Sequence, residues 1–183
     1  MRVEEPSLSP DEGFAAIVLP HLDAAHNLAR WLMHDAAAAE DVLQEALLRA
    51  LTYFSSFRGG NARAWLLQIV RNTAYGAIAT ERARPLVPIA ADEEEAGAVA
   101  ELRATGDDPE TSLIRSREQG GVRALIAALP FELREVMVLR ELEELSYKDI
   151  AEVTRTPIGT VMSRLWRARR SLVEAAAKQG LTP

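Results

Sequence analysis

Apolar residues along this chain recur three and four apart, without the period-2 runs of Val, Ile, Thr and Tyr that mark strands. Phe14, Ile17, Val18, Leu22, Ala25, Leu28, Ala29 and Leu32 follow that spacing and predict one amphipathic helix. Pro20 falls inside it and has no N–H for the ladder, so the helix is expected to kink or to start after Pro20. Asp35 is placed to cap a second helix, AAAAEDVLQEALLRALTYF, with Val42, Leu43, Ala46, Leu47, Ala50, Leu51 and Phe54 on one side. After the polar, Gly-rich SSFRGGN, a third helix is expected from about Ala62 to Thr80, burying Trp65, Leu66, Ile69, Val70, Thr73 and Ala77. Three such helices make a small bundle.

Further on, LIRSREQGGVRALIAAL, FELREVMVLREL, YKDIAEV and IGTVMSRLWRARRSLVEAAA predict four helices with short connections. Pro130 and Pro157 suit first-turn positions, where a missing N–H costs little. Ser146 and Asp149 have the spacing of a capping box, and Thr156 is placed to cap the helix after it. Thr154, Arg155 and Thr156 are then the right length for the turn of a helix-turn-helix.

Between the two groups of helices, Pro85 to Pro109 contains Pro88, Gly97, Gly106 and an acidic run, the composition of a linker. A weakly held short helix inside it is compatible with its Ala and Leu content. The 183 residues therefore divide as 14–84, a linker at 85–110, and 111–178: an all-α protein of two small helical domains joined by a flexible acidic linker. With 48% hydrophobic and 26% charged residues the chain has enough apolar material for packed cores.

Charge first argues against nucleic acid, since the net is −6. Its distribution reverses that reading. Asp92, Glu93, Glu94, Glu95, Glu101, Asp107, Asp108 and Glu110 face only Arg103 in their segment, a local net of −7 that leaves +1 for the remainder. From Ile158 to Arg170 there are four arginines and no acid. A helical wheel turns Ile158, Val161, Leu165, Ala168 and Leu172 inward and Thr160, Ser163, Trp166, Arg167 and Arg170 outward, flanked by Arg164. Guanidiniums, a hydroxyl and a flat ring suit phosphates, base edges and sugars. As the second helix of a helix-turn-helix, this face is expected in a major groove; taken in isolation it is a solvated Arg-rich surface.

The stretch LPFELREVMVLRELEELSYKDIAEVTRTPIGTVMSRLWRARRSL resembles region 4 of the bacterial extracytoplasmic-function sigma factors, which reads the minus 35 promoter element. Residues 36–84 are similar to region 2 of the same family, which grips polymerase and opens the minus 10 element. The resemblance implies a three-to-four-helix region 2 bundle and a four-helix region 4 domain. In DVLQEALLRA it implies a polymerase-binding surface, Asp41, Val42, Gln44, Glu45 and Arg49, that docks on the β′ clamp helices. For the minus 10 strand it implies Arg58, Gly59, Gly60 and Asn61 in the loop and Arg71, Asn72 and Tyr75 on the next helix. Physically, Gly59 and Gly60 let backbone approach a strand, Asn72 can read a base edge, and Arg58 or Arg71 can hold phosphate.

For the minus 35 duplex the family's base-reading positions fall at Met162, Ser163, Trp166 and Arg167, with Arg164, Arg170 and Thr160 on the same face. Met162 stands where some members carry a basic residue, and the wheel sets it at the edge of the apolar face. Lys148 and Arg155 are candidates for register-setting phosphate contacts. The implied partners are core RNA polymerase, through β′ clamp helices and β flap, promoter DNA that is double-stranded at minus 35 and single-stranded at minus 10, and an anti-sigma factor. An alternative sigma factor of this kind catalyses nothing itself and takes no cofactor.

Two other classes stay open. A free-standing helix-turn-helix regulator would use the C-terminal half identically without needing DVLQEALLRA and FRGGNARAW. A sigma mimic that only sequesters an anti-sigma factor would share both outlines, but its last helix would be expected to have lost Arg164, Arg167, Arg169 and Arg170. His21, His26 and His34 lie near the first helix without a familiar metal-ligand spacing, so no metal site is expected. No cysteine is present, no run approaches the ~18 apolar residues of a membrane span, and the acidic N-terminus is unlike a signal peptide. The expected location is the cytoplasm, without membrane insertion.

Overall fold

The computed structural model describes residues 10–33, 35–83 and 121–178. The expected linker at 85–110, any short helix within it, and His34 lie outside the described residues. Every regular element among the described residues is helical.

The first expected helix is two. α1 (Pro10–Val18) ends in one 3-10 turn, Leu19–His21, from which α2 (Leu22–Leu32) departs. Pro20 cannot donate to the α ladder, so the chain tightens and restarts there. α3 (Ala36–Tyr53) begins where Asp35 accepts the Ala38 N–H at 2.8 Å, a cap contributing about 1 kcal/mol. α4 (Ala62–Ala83) is capped in turn by Asn61, whose Oδ1 accepts the Ala64 N–H at 3.0 Å.

The second half holds a helix over residues 121–127 (α5), α6 (Phe131–Met137), α7 (Tyr147–Thr154) and α8 (Ile158–Lys178). Beyond α6 the ladder widens into a π turn, Val138–Leu142, which closes with the Glu143 N–H on the Val138 carbonyl at 3.0 Å. Pro130 and Pro157 precede their helices rather than entering the first turn. Each offers its carbonyl to two helical N–H groups, of Leu133 and Arg134 and of Thr160 and Val161.

The two halves do not keep separate interiors. Val18, Leu28, Leu32, Leu66, Leu67 and Val70 share one apolar core with Val136, Val138, Leu139, Ile150 and Leu165. Burying one such leucine contributes about 1.5–3 kcal/mol. A smaller cluster, Leu129, Leu133, Met137 and Ala168, with Leu172 against it, binds α6 to α8. Because α4 packs on α2 and α3 and also on α7, its buried stripe is wider than the periodicity indicated. Leu66, Leu67, Val70, Thr73 and Ala74 are buried, whereas Trp65, Ile69 and Ala77 are only half-buried.

Candidate nucleic-acid interface

The helix-turn-helix is built by three local devices. The Ser146 hydroxyl caps α7 by accepting the Asp149 N–H at 3.1 Å and donates to the Asp149 carboxylate at 2.6 Å. That bond to Ser146, with a further one from Asn61, holds the Asp149 carboxyl below its usual value despite partial burial. Arg155 then turns the chain in a left-handed conformation, φ 52° and ψ 41°, which is uncommon outside glycine and asparagine. Thr156, expected to cap α8, instead has its hydroxyl 2.8 Å from that of Thr154, and the Pro157 carbonyl starts the helix.

Along α8, Val161, Leu165 and Ala168 are buried, so the expected inward face holds except at its start. Ile158 is exposed, because the first turn overhangs the end of the packed interface. Outward stand Ser163, Trp166, Arg167 and Arg170, with Trp166 61% exposed and Arg170 over its ring at 5.5 Å. Met162 is exposed beside them rather than packed, and Thr160 is half-buried. Arg169 and Arg170 are paired with Glu141 and Glu174 at 2.6 and 2.8 Å. Arg164 corrects the sequence reading: it turns inward to Glu135, 3.2 Å away, and does not flank the outer face. Among the described residues Arg167 is the arginine of this helix with no carboxylate partner. Lys148 and Arg155 are exposed on the same motif.

In the first half an aromatic cluster fixes the loop before α4. Phe57 lies 5.0 Å from Trp65 and 6.3 Å from Phe54, which in turn meets Phe14 edge-on at 5.3 Å. With Phe57 anchored, Arg58, Gly59 and Gly60 form an exposed tip. Gly59 and Gly60 have φ of 86° and 96°, where any side chain would be strained although nothing crowds the space around them.

The other expected minus 10 residues are not free. Asn61 donates to Asp149 at 3.0 Å across the two halves. Arg71 donates to Glu135 at 2.7 Å, contacts Asn72 at 3.2 Å and lies 5.2 Å over the Tyr75 ring. Tyr75 meets Phe131 of α6 edge-on at 5.5 Å. Glu135 itself is fully buried, and burial raises its carboxyl above the usual value in spite of Arg71 and Arg164. Arg63 and Asn27 both donate to Glu143, and Gln68 donates to the Glu152 carbonyl. Beside them an open cleft of about 540 Å³ is lined by His21, Asp23, Asn27, Arg63 and Glu143. None of Asn27, Arg63, Gln68, Glu135 or Glu143 was singled out from sequence, since their partners lie 64 to 116 residues away and leave no local signal.

On α3, Asp41, Gln44, Glu45 and Arg49 are exposed, with Glu45 and Arg49 paired at 2.7 Å. Val42 is a second correction: at 4% exposure it belongs to the core, because α3 packs that side on α2 and α4. Leu51, expected inward, is exposed together with Leu48, which gives this surface an apolar centre without Val42. Among the described residues no group of three or more His, Cys, Asp or Glu is placed to hold a metal, and no helix is long and apolar enough to cross a membrane.

Comparison with known proteins matches residues 17–84 to the family model described as Sigma-70 region 2 and residues 120–172 to that described as Sigma-70, region 4. The RNA polymerase sigma-H factor of Pseudomonas aeruginosa is 35% identical over 94% of this chain and 91% of its own length. The ECF RNA polymerase sigma-E factor of Escherichia coli is 37% identical over 72% of this chain and 70% of its own. Among solved structures, the sigma factor RpoE in complex with the anti-sigma factor NepR from Bartonella quintana superposes with a TM-score of 0.68 at 26% identity, covering 90% of this chain and 97% of that one. CnrH, solved with the cytosolic domain of CnrY, shares the fold with a TM-score of 0.62 at 22% identity over 94% and 91% of the two chains.

Proposed function

The chain belongs to the sigma-70 family, in its extracytoplasmic-function branch, and from that premise we propose that α8 reads the minus 35 duplex while the Arg58–Asn61 loop and the Arg71–Tyr75 stretch of α4 receive the melted minus 10 strand. It is an alternative sigma factor: it binds core RNA polymerase, directs promoter recognition and starts transcription, and the polymerase performs the chemistry. The observation that carries the residue assignment is the outer face of α8. Ser163, Trp166 and Arg167 are exposed side by side on the second helix of a capped helix-turn-helix, the geometry by which such helices enter a major groove. Lys148 and Arg155, exposed beside them, fit backbone phosphates.

Polymerase contact falls to the exposed surface of α3, with Leu48 and Leu51 at its centre and Asp41, Gln44, Glu45 and Arg49 at its rim. The β flap is the matching contact for the C-terminal half. An anti-sigma factor is part of the same reading, supported by the partner of the RpoE relative. The proposed domain limits are 14–84 and 111–178, and the place of action is the cytoplasm, where polymerase works.

In vitro transcription with sigma-free core polymerase, this protein and a pool of promoter fragments tests the reading. Discrete RNA 5′ ends that require the protein and share minus 35 and minus 10 elements are the expected result. Core binding without initiation would overturn it in favour of a mimic, and DNA binding without core binding in favour of a free-standing regulator.

A further inference from the structure

Three of the large apolar side chains left exposed in this protein stand in one row on α8. Ile158, Met162 and Trp166 are spaced four residues apart, and all three are exposed. Side chains at that spacing lie one above another on a helix, so they form a continuous apolar strip about 12 Å long. Apolar residues scattered singly over a surface are ordinary, but a contiguous strip on a helix assigned to a groove has a contact to make. The polar groups beside it are largely committed within the chain. The Ser163 hydroxyl donates to the Thr160 carbonyl at 2.9 Å, and the Arg170 guanidinium is held by Glu174 and lies over the Trp166 ring. Arg167 is left as the charged donor of this face without a carboxylate partner among the described residues.

We propose that Met162 is a specificity-determining residue for the minus 35 element: with Ile158 and Trp166 in the same row, it selects an A·T pair by contacting the thymine C5-methyl group in the major groove. The inference rests on the sigma reading and deepens it. Thymine is the one unmodified base that presents a methyl group in the major groove, where the other recognition features are hydrogen-bond donors and acceptors. Pressed under an apolar strip, guanine O6 and N7 or the cytosine amino group would lose water without gaining a partner, which disfavours a G·C pair there. A methyl group gains from the same contact. Methionine suits the task, because its unbranched side chain with three rotatable bonds can follow the groove floor. Met162→Arg would instead offer the planar fork that pairs with guanine O6 and N7. Lys148 and Arg155, exposed on the same motif, fit the phosphates that hold the helix in register, so the strip adds discrimination between bases rather than overall affinity.

The test uses holoenzyme reconstituted from core polymerase and the full chain, with promoter fragments carrying the minus 35 element mapped by transcription. Each thymine of that element, on either strand, is replaced in turn by deoxyuridine, which keeps the pairing and the O4 acceptor and lacks only the methyl group. At one or two of these positions binding is expected to weaken about fourfold, the worth of one methyl-sized apolar contact. In Met162→Ala the same replacements are expected to have no effect, a coupling between side chain and methyl group that a purely structural role for Met162 would not produce. Selection from a pool randomised over minus 35 is expected to shift from thymine to guanine at the affected position in Met162→Arg. A minus 35 element without thymine, a parent indifferent to every uridine, full sensitivity retained in Met162→Ala, or an unchanged base preference in Met162→Arg overturns the assignment. Should Met162→Ala not fold, Met162→Gln, of similar length and polar, takes its place. Defined transcription starts from a holoenzyme indifferent to uridine reject the thymine contact and leave the sigma assignment standing, whereas failure to bind core polymerase removes both.

Discussion

Single residues in this protein are chosen for their partners more than for their type. Four arginines lie within thirteen residues on α8, yet among the described residues Arg164, Arg169 and Arg170 are each matched to a carboxylate, whereas Arg167 is matched to none. Arg167→Ala is therefore expected to weaken minus 35 recognition by about 1–3 kcal/mol if its guanidinium makes a bidentate base contact. Footprinting or transcription from promoters altered at single minus 35 positions checks it, and an unchanged profile removes Arg167 from the interface. Asp149 is the residue whose ionisation matters to the motif. Its carboxyl lies below the ordinary 3.8, mainly through the Ser146 hydroxyl, so its contribution is complete above that value and is lost as pH falls through the lowered pKa. Asp149→Asn should lower thermal stability at neutral pH and shrink the difference between melts at neutral and about pH 3; equal acid sensitivity in both proteins would contradict this. From sequence the capping role of Ser146 was legible, since it depends on residues three apart. The inward turn of Arg164 was not, because Glu135 is 29 positions away.

At the scale of elements, helix starts were more legible than helix ends. Asp35 and Ser146 announce α3 and α7 by their capping chemistry. The π turn after α6 and the left-handed Arg155 have no such marker, as each is set by how the chain must turn to bring α7 and α8 into the core. Arg155 combines two roles that can be separated. Arg155→Gly removes the left-handed strain and should stabilise the fold by up to about 1 kcal/mol. If its side chain touches a phosphate, the same change should weaken promoter binding across all sequences and reduce the salt slope by about one. Chemical denaturation and a salt titration of DNA binding measure the two effects, and loss of stability would show that the turn gains more from the arginine than from conformational ease.

For the whole molecule the consequential feature is the core shared by both halves. Since Val70 and Leu67 of α4 join the same apolar cluster as Ile150 and Leu165, the halves should unfold together in the closed chain. Single-tryptophan variants retaining Trp65 or Trp166 are expected to report coincident urea transitions, and separated midpoints would mean that the interface is too weak to couple them. The sequence by itself determined the helical class, the order of two family regions, the capped helix-turn-helix and the outward face of α8. The order of the regions follows from the resemblance of two long stretches to one family, and the rest from periodicity, capping and short motifs, interactions confined to a few neighbouring residues. Only the tertiary structure decided that Arg164 and Arg71 converge on Glu135, and that Asn61 and Tyr75 lie against the other half. Those outcomes depend on which helix faces meet between residues 29 to 88 positions apart, and that is fixed by the summed packing of apolar surfaces rather than by any local pattern.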